Sequence, residues 1–457
     1  MAAELRPPAS TSGAPLLGLS LAGLRAFVAA SGGRAALEGK TTAWVRGHLV
    51  LPATQASGGS YSSLLVAAGS PHVAPATEYV VHAHSDAFLG LLDALATYDS
   101  AQHFYLDLFS DCQHTPPPAT PLALKSALVH ALSAAGRALL VVHWAAPTPL
   151  QRAWCLLELA IARALGLPLL VLLPPGDFVA FEKALRKDTH ALAYKLCRAD
   201  AARAGARDGA ALAAIQLAMT APPLGGFQRT SQLVNEGLRA WVVEEGRGAL
   251  AEAAAAGDGA ARAELLASLG ALLREAGQLR EAEPLLREAA GASAAVLGAD
   301  HADALAAASA LASLLGDLGR LDEAAPLLRR ALAGRRRALG SEHASTLRTM
   351  VSLAAVLREQ GDAPGAAALY GEALDGARRA LGVEHPDTLA CMLGYAALLL
   401  EQGRRGEALA LYAEELAAVR SALGEGHPSA QQSLRNYEAL VAAEGEPQRA
   451  GCCCAVC

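Results

Sequence analysis

No window of this chain is long enough to span a bilayer, roughly 18 residues or more, while also being free of charge and strongly apolar. A membrane-spanning helix is therefore not expected. The N-terminus has no basic run ahead of an apolar stretch, and the apolar residues at 16–30 are interrupted by Arg25, so no secretory signal is read there. Aromatic residues are scarce at 4%, although 53% of the chain is hydrophobic, and Ala and Leu make up the difference. That mixture favours helices, and Ala-rich helices approach closely enough to stack as repeats. A basic field is also missing. Net charge is −6 with pI near 6.1, which gives nucleic acid no electrostatic footprint. The densest basic run, Arg335-Arg336-Arg337, reads as a solvated helix face. Cys112, Cys155, Cys197 and Cys391 stand apart with no C-x-x-C pair among them, against both a disulfide framework and a thiolate zinc site. A reducing, cytoplasmic setting fits. His82, His84, His103, His114 and His143 show no H-x-x-x-H spacing, so neither a metal nor a cofactor is expected.

At 457 residues the chain is too long for one core. Residues 1–15, rich in Ala, Pro, Ser and Gly, read as a disordered lead-in. Residues 16–76 read as a loosely folded helical N-terminal extension, with helices at 17–30 and 41–50. Residues 77–248 read as an α/β domain. Apolar runs at 78–82, 103–109, 138–144 and 168–173 predict strands, and amphipathic stretches at 87–96, 122–135 and 150–165 predict the helices between them. That alternation implies a parallel, doubly wound sheet. Further helices are read near 178–186, 189–204 and 232–245, with no fifth strand.

Beyond residue 260 the pattern becomes a repeat. Leu297-Gly298, Leu339-Gly340, Leu381-Gly382 and Leu423-Gly424 recur every 42 residues. His301, His343, His385 and His427 keep that period, as do Gly277, Gly319, Gly361 and Gly403. Each unit holds two amphipathic helices joined at the glycine, and a lone pair cannot bury its apolar face. Residues 260–444 are therefore expected to be a solenoid of four 42-residue units plus a capping helix. The periodic histidines are expected to cap helix entries. A flexible Cys-rich tail occupies 445–457.

Leu381-Gly382-Val383-Glu384-His385-Pro386-Asp387-Thr388-Leu389 and the Glu401-to-Ala408 run resemble the kinesin-light-chain type of tetratricopeptide repeat. That resemblance implies a groove binding extended peptides, clamped by an asparagine on the first helix of each unit. Ser268, Ala310, Ser352 and Gly394 stand at the matching positions, and none is an asparagine. Three other stretches resemble a divergent Toll/interleukin-1-receptor-like (TIR-like) domain. They are Tyr79 through Asp86, Tyr105-Leu106-Asp107, and Arg152 through Leu159. This resemblance implies a flavodoxin-like fold, self-association and, in some branches, cleavage of NAD by a glutamate on the third helix, which falls on Glu158. Val81 replaces the serine usual in the first strand. The fold class is thus an α/β flavodoxin-like parallel sheet domain followed by an all-α tetratricopeptide solenoid.

Physically, a carboxylate such as Glu158 can stabilise the oxocarbenium charge built when a nicotinamide–ribose bond breaks. The bland alternative leaves it facing water. A cleft is expected at the carboxyl ends of the first and third strands, lined by His82, His84, Asp86, Asp111 and Trp154. Asp107 and Asp111 either line it or cap the chain's exit. Cys155 is expected to be a buried, inert thiol. Cys454-Ala455-Val456-Cys457 has the C-a-a-X form, which makes Cys452, Cys453 and Cys454 lipidation candidates for anchoring to a cytosolic membrane face. The reading that unites these features is an adaptor or scaffold in signalling, with protein partners on the solenoid and homo-oligomers formed through the TIR-like domain. The alternative is an NAD hydrolase with NAD as substrate and the repeats as regulator.

Overall fold

The computed structural model describes residues 15–98, 101–114, 120–187, 196–197, 199–206, 209–222, 224–425 and 428–444. Residues 1–14 of the lead-in, the Cys-rich tail with Cys452, Cys453 and Cys454, His427 and half of the helix read at 189–204 lie outside these. The chain divides into two compact units, Met1–Ala249 and Leu250–Cys457, and the division falls within the Phe227–Ala255 helix. Among the described residues no helix is long and apolar enough to cross a membrane.

The first unit is built on six strands: β1 (Leu17–Ser20), β2 (Val73–Pro75), β3 (Glu78–Val81), β4 (His103–Tyr105), β5 (Ala138–Val141) and β6 (Leu169–Leu172). Their order is β2-β1-β4-β3-β5-β6. The last four strands pair in parallel, with Tyr79 against Tyr105 and Ala138, and Leu139 against Leu170. In chain order these four lie second, first, third, fourth, as in flavodoxin-like sheets, with the reversal of direction between β3 and β5. Both of those strands are buried along their full length, which explains why they are largely apolar.

Residues 16–76 hold helices, among them Leu21–Ala30, Thr42–Val45 and Tyr61–Ala67, but they also hold two strands that the sequence reading did not include. β1 and β2 pair with each other antiparallel, and β1 pairs antiparallel with β4, so the region closes one edge of the sheet. At Gly18 the backbone of β4 comes too close for any side chain. A Cβ on Gly18 would lie 2.9 Å from the His103 carbonyl carbon. Ser20 then ends the strand and caps the Leu21–Ala30 helix, its hydroxyl accepting from the Gly23 amide at 3.2 Å. The region is not loosely attached. Thr42 and Ala43 amides donate to the Asp86 and His84 carbonyls, and Phe88 donates to the Lys40 carbonyl, so residues 40–43 hold the loop after β3. Thr54 and His114 bond at 2.8 Å, pinning the segment after β4.

Every Phe and Trp of the chain lies before residue 250, so the scarce aromatics are concentrated in one core. Phe27 packs edge-on against Tyr61, Phe88 and Phe109, with centroids 4.9–6.0 Å apart. The predicted strands 103–109 and 138–144 are shorter than their apolar runs. After β4 the chain makes one helical turn, Asp107–Ser110, and the helix read at 150–165 begins at Ala153 after a 3-10 turn, Thr148–Gln151. A helix the sequence reading omitted, Gly209–Thr220, packs on both Pro121–Ala135 and Ala153–Ala164.

The second unit is four helix pairs: Gly259–Glu275 with Leu279–Leu297, Ala302–Asp317 with Leu321–Leu339, Ala344–Glu359 with Ala363–Ala380, and Pro386–Glu401 with Arg405–Leu423. Pro428–Glu444 follows as a terminal helix. The turn glycines Gly277, Gly319, Gly361 and Gly403 all have φ between +73° and +84°, which fixes glycine at the joint of every pair. The helices interlock by size. Added Cβ atoms on Gly334 and Gly376 would lie 2.7 and 2.8 Å from Leu305 and Leu347, so one leucine of each first helix fills the gap left by a glycine of the second.

Candidate functional site

β3 leaves the sheet as Val81-His82-Ala83-His84, and alternation along extended chain sends both imidazoles the same way. Their ring centroids are 5.1 Å apart. At the end of the neighbouring parallel strand β4, Asp107 turns its carboxylate toward them. His84 Nε2 lies 3.0 Å from Asp107 Oδ1, which also accepts from the Leu108 amide at 2.7 Å. His82 is buried, and burial pulls its imidazole down to about 4, so it is neutral at pH 7. Partial burial would raise the Asp107 carboxyl, but the charge and hydrogen bond of His84, with His82 and the Leu108 amide, outweigh it. Asp107 is held well below the usual carboxylate range.

Glu158 sits in a different setting from the one expected. It neither faces water nor opens onto a cleft, being only 4% exposed. Ten of the 12 residues of its helix are buried, because Pro121–Ala135 and Gly209–Thr220 cover the side away from the sheet. Tyr79 Oη donates to Glu158 Oε1 at 2.7 Å, and Trp154 Nε1 donates to the same oxygen at 2.8 Å. Burial raises the carboxyl to about 8. The Tyr79 and Trp154 bonds pull against this, and Asp107 and Asp111 reinforce it. At neutral pH the group is a protonated acid. Cys155 is buried, its thiol raised well above the usual range first by burial and then by Glu158, and it donates to the His82 carbonyl at 3.4 Å.

The residues proposed to line one cleft do not share one surface. His82 is buried, His84 and Asp86 are half-buried, and Asp111 is exposed. Asp86 bonds Thr148 and Ser85, Asp111 accepts from Tyr105 Oη, and Trp154 belongs with Glu158. Asp107 is the residue that joins the histidines. Tyr79 and Tyr105, stacked 4.9 Å apart, link the Glu158 and Asp111 bonds and escaped the sequence reading. Their signal was a tyrosine in a strand read as central, where a buried hydroxyl must find an acceptor. A metal-ligand search along single helices also missed His82, His84 and Asp107, which come from the ends of two adjacent strands. Their ligand atoms all lie within 4.8 Å of one another.

On the repeats, His301, His343 and His385 are helix N-caps, their Nδ1 atoms accepting from the Asp303, Ser345 and Asp387 amides at 3.1–3.3 Å. The Arg335–Arg337 run is not simply solvated. Arg336 pairs with Glu372 in the following unit, Arg337 pairs with Asp300 in the turn that leads into its own unit, and Arg335 bonds Thr349. The family model for the tetratricopeptide repeat matches residues 260–337, 303–379 and 345–421. The C-terminal array is a tetratricopeptide-repeat array. Similar solved structures include BtubC (BKLC) from P. vanneervenii, 23% identical over 44% of this chain and 83% of that one, with a TM-score of 0.39. Two structures of nearly identical TPR-like repeats from a Podosopora anserina protein described as a kinesin light chain are 28% and 26% identical. They cover 40% and 41% of this chain and 86% and 90% of those, each with a TM-score of 0.36. No curated protein matches the chain.

The array explains the missing carboxamides. Ser268 is buried, and Ser352 Oγ donates to the Arg348 carbonyl of its own helix at 3.0 Å. At Gly394 a Cβ would lie 2.8 Å from the Tyr370 ring and 2.9 Å from its hydroxyl. Tyr370, on the second helix of the preceding unit, fills the space an asparagine would need. Gly394→Asn is therefore expected to cost about 1–3 kcal/mol by overpacking. Tyr370→Leu, the residue type found one period earlier at Leu328, should recover most of that loss in the double variant. Thermal melting of the four proteins of the cycle measures the coupling, and additive losses would mean that Tyr370 is not the obstacle.

Proposed function

We infer that the chain is a protein-interaction scaffold: the repeats hold partner proteins, and the α/β unit, TIR-like by its motifs, self-associates to bring bound partners together. The tetratricopeptide array carries this reading, because stacked helix pairs present the same face repeatedly along an extended surface. Partner choice would rest on side-chain fit, since the asparagine clamps are replaced by serine, alanine and glycine. Panning the full chain against a displayed library of extended peptides tests it. Binders should lose at least tenfold in affinity on Arg348→Glu, which reverses an exposed charge one turn before Ser352. Binders indifferent to every first-helix substitution would remove the repeats from the reading. Sedimentation should show mass increasing with concentration.

The environment of Glu158 speaks against the hydrolase alternative. Stabilising an oxocarbenium ion needs an ionised carboxylate open to substrate, whereas Glu158 is buried, protonated and bonded to two donors. Incubation with NAD should release no nicotinamide. Release that is abolished by Glu158→Gln would reverse this assignment.

A further inference from the structure

We propose that His82, His84 and Asp107 form a binding site for one divalent transition-metal ion of the zinc class. Two imidazoles and a carboxylate suit Zn²⁺ and its neighbours in the first transition row, and three protein ligands leave a position open to water or a further ligand. The separations fit. Ligands at about 2.1 Å from an ion in tetrahedral geometry lie roughly 3.4 Å from each other, and His84 Nε2 and Asp107 Oδ1 are 3.0 Å apart. An ion would take the place of the proton those two atoms share. All three ligand atoms fall within 4.8 Å of one another, so the third must close in by about 1.4 Å at most.

The independent observation is His82. It is 92% buried, by its 8% exposure, and its Nε2 finds no partner among the described residues. A buried ring nitrogen left without a bond is costly, and the ring has a nitrogen within 4.8 Å of the His84 and Asp107 ligand atoms. Outer-sphere contacts commonly orient metal ligands. Asp107 is oriented in this manner by the Leu108 amide. His84 and Asp107 keep 34% and 31% of their side-chain surface exposed, which gives the ion a way in. The carboxyl ends of adjacent parallel strands are where such folds place their ligands.

The test uses the full chain, freed of metal by chelation and dialysed, then titrated with Co²⁺ as the optical probe and with Zn²⁺ for stoichiometry by elemental analysis. One ion per chain is expected, with visible Co²⁺ bands of a nitrogen–oxygen site and no thiolate charge-transfer band. Asp107→Asn keeps the acceptor for the Leu108 amide, and His84→Gln changes a half-exposed residue, so both should fold. Circular dichroism checks this. Each should weaken binding at least tenfold. Undiminished binding in both variants, a thiolate signature implicating the cysteines, or no binding at millimolar Co²⁺ would each overturn the assignment.

Discussion

Glu158→Ala is expected to lower the stability of the first unit by about 2–4 kcal/mol, because it strands two donors, Tyr79 Oη and Trp154 Nε1, that share one acceptor. Glu158→Gln should behave differently, and its effect should depend on pH. Glutamine has the same shape, keeps an acceptor oxygen and does not titrate. In the unfolded chain Glu158 ionises near 4.5, and in the folded protein it keeps its proton up to about 8. Between those values the native state holds more protons than the unfolded one, so each rise in pH favours unfolding, by at most about 1.4 kcal/mol per pH unit. Below the lower value both states are protonated and the contribution is fully present. Around Glu158, burial keeps the hydroxyls of Tyr79 and Tyr105 and the thiol of Cys155 protonated, and Asp107 stays ionised. Asp111 is an exposed residue whose carboxylate is turned inward to Tyr105. It is raised to about 6 by burial of that group and by Asp107, and it titrates inside the window but is present in both proteins. Calorimetry from about pH 5 to 8 should show the wild type losing stability relative to Glu158→Gln as pH rises. Parallel curves would mean that Glu158 is ionised when folded.

The sequence was most legible where one residue type had one physical use. The 42-residue glycines and histidines sit at joints and caps that only a positive φ or a short-range acceptor can satisfy, and the array follows them. β3 and β5 were legible because strands covered on both faces are mostly apolar, the buried Glu78 being paired with Arg137. Leu17 to Ser20 was not, since four residues with one glycine fit a helix start as well as a strand. Only the approach of His103 decides between them. Glu158 misled for a similar reason. Its exposure depends on the Gly209–Thr220 helix, some 50 residues away in sequence, whose Ala-rich stretch has no polar face to announce it. His82, His84 and Asp107 were each visible, but their meeting depends on β3 and β4 being neighbours.

The tetratricopeptide array should be most sensitive to cavities at the position shared by Leu286, Leu328, Tyr370 and Tyr412. Leu286 and Leu328 are fully buried and Tyr370 nearly so. A Cβ on Gly270 would lie 2.5 Å from Leu286, within one unit, and one on Gly394 would lie 2.8 Å from Tyr370, in the next. By the 42-residue register, Leu328 wedges between Ala312 of its own unit and Ser352 of the following one. Leu328→Ala therefore opens space on two sides at once, with only small side chains to close it. The loss is expected at about 2–5 kcal/mol, toward the upper part of the range because the site cannot collapse. In a stack held by nearest-neighbour contacts, losing one interface uncouples the units on either side. Urea unfolding followed by circular dichroism should then show a broader transition with a lower slope as well as a lower midpoint. A lower midpoint with an unchanged slope would show that Leu328 serves its own helix pair without joining it to the next.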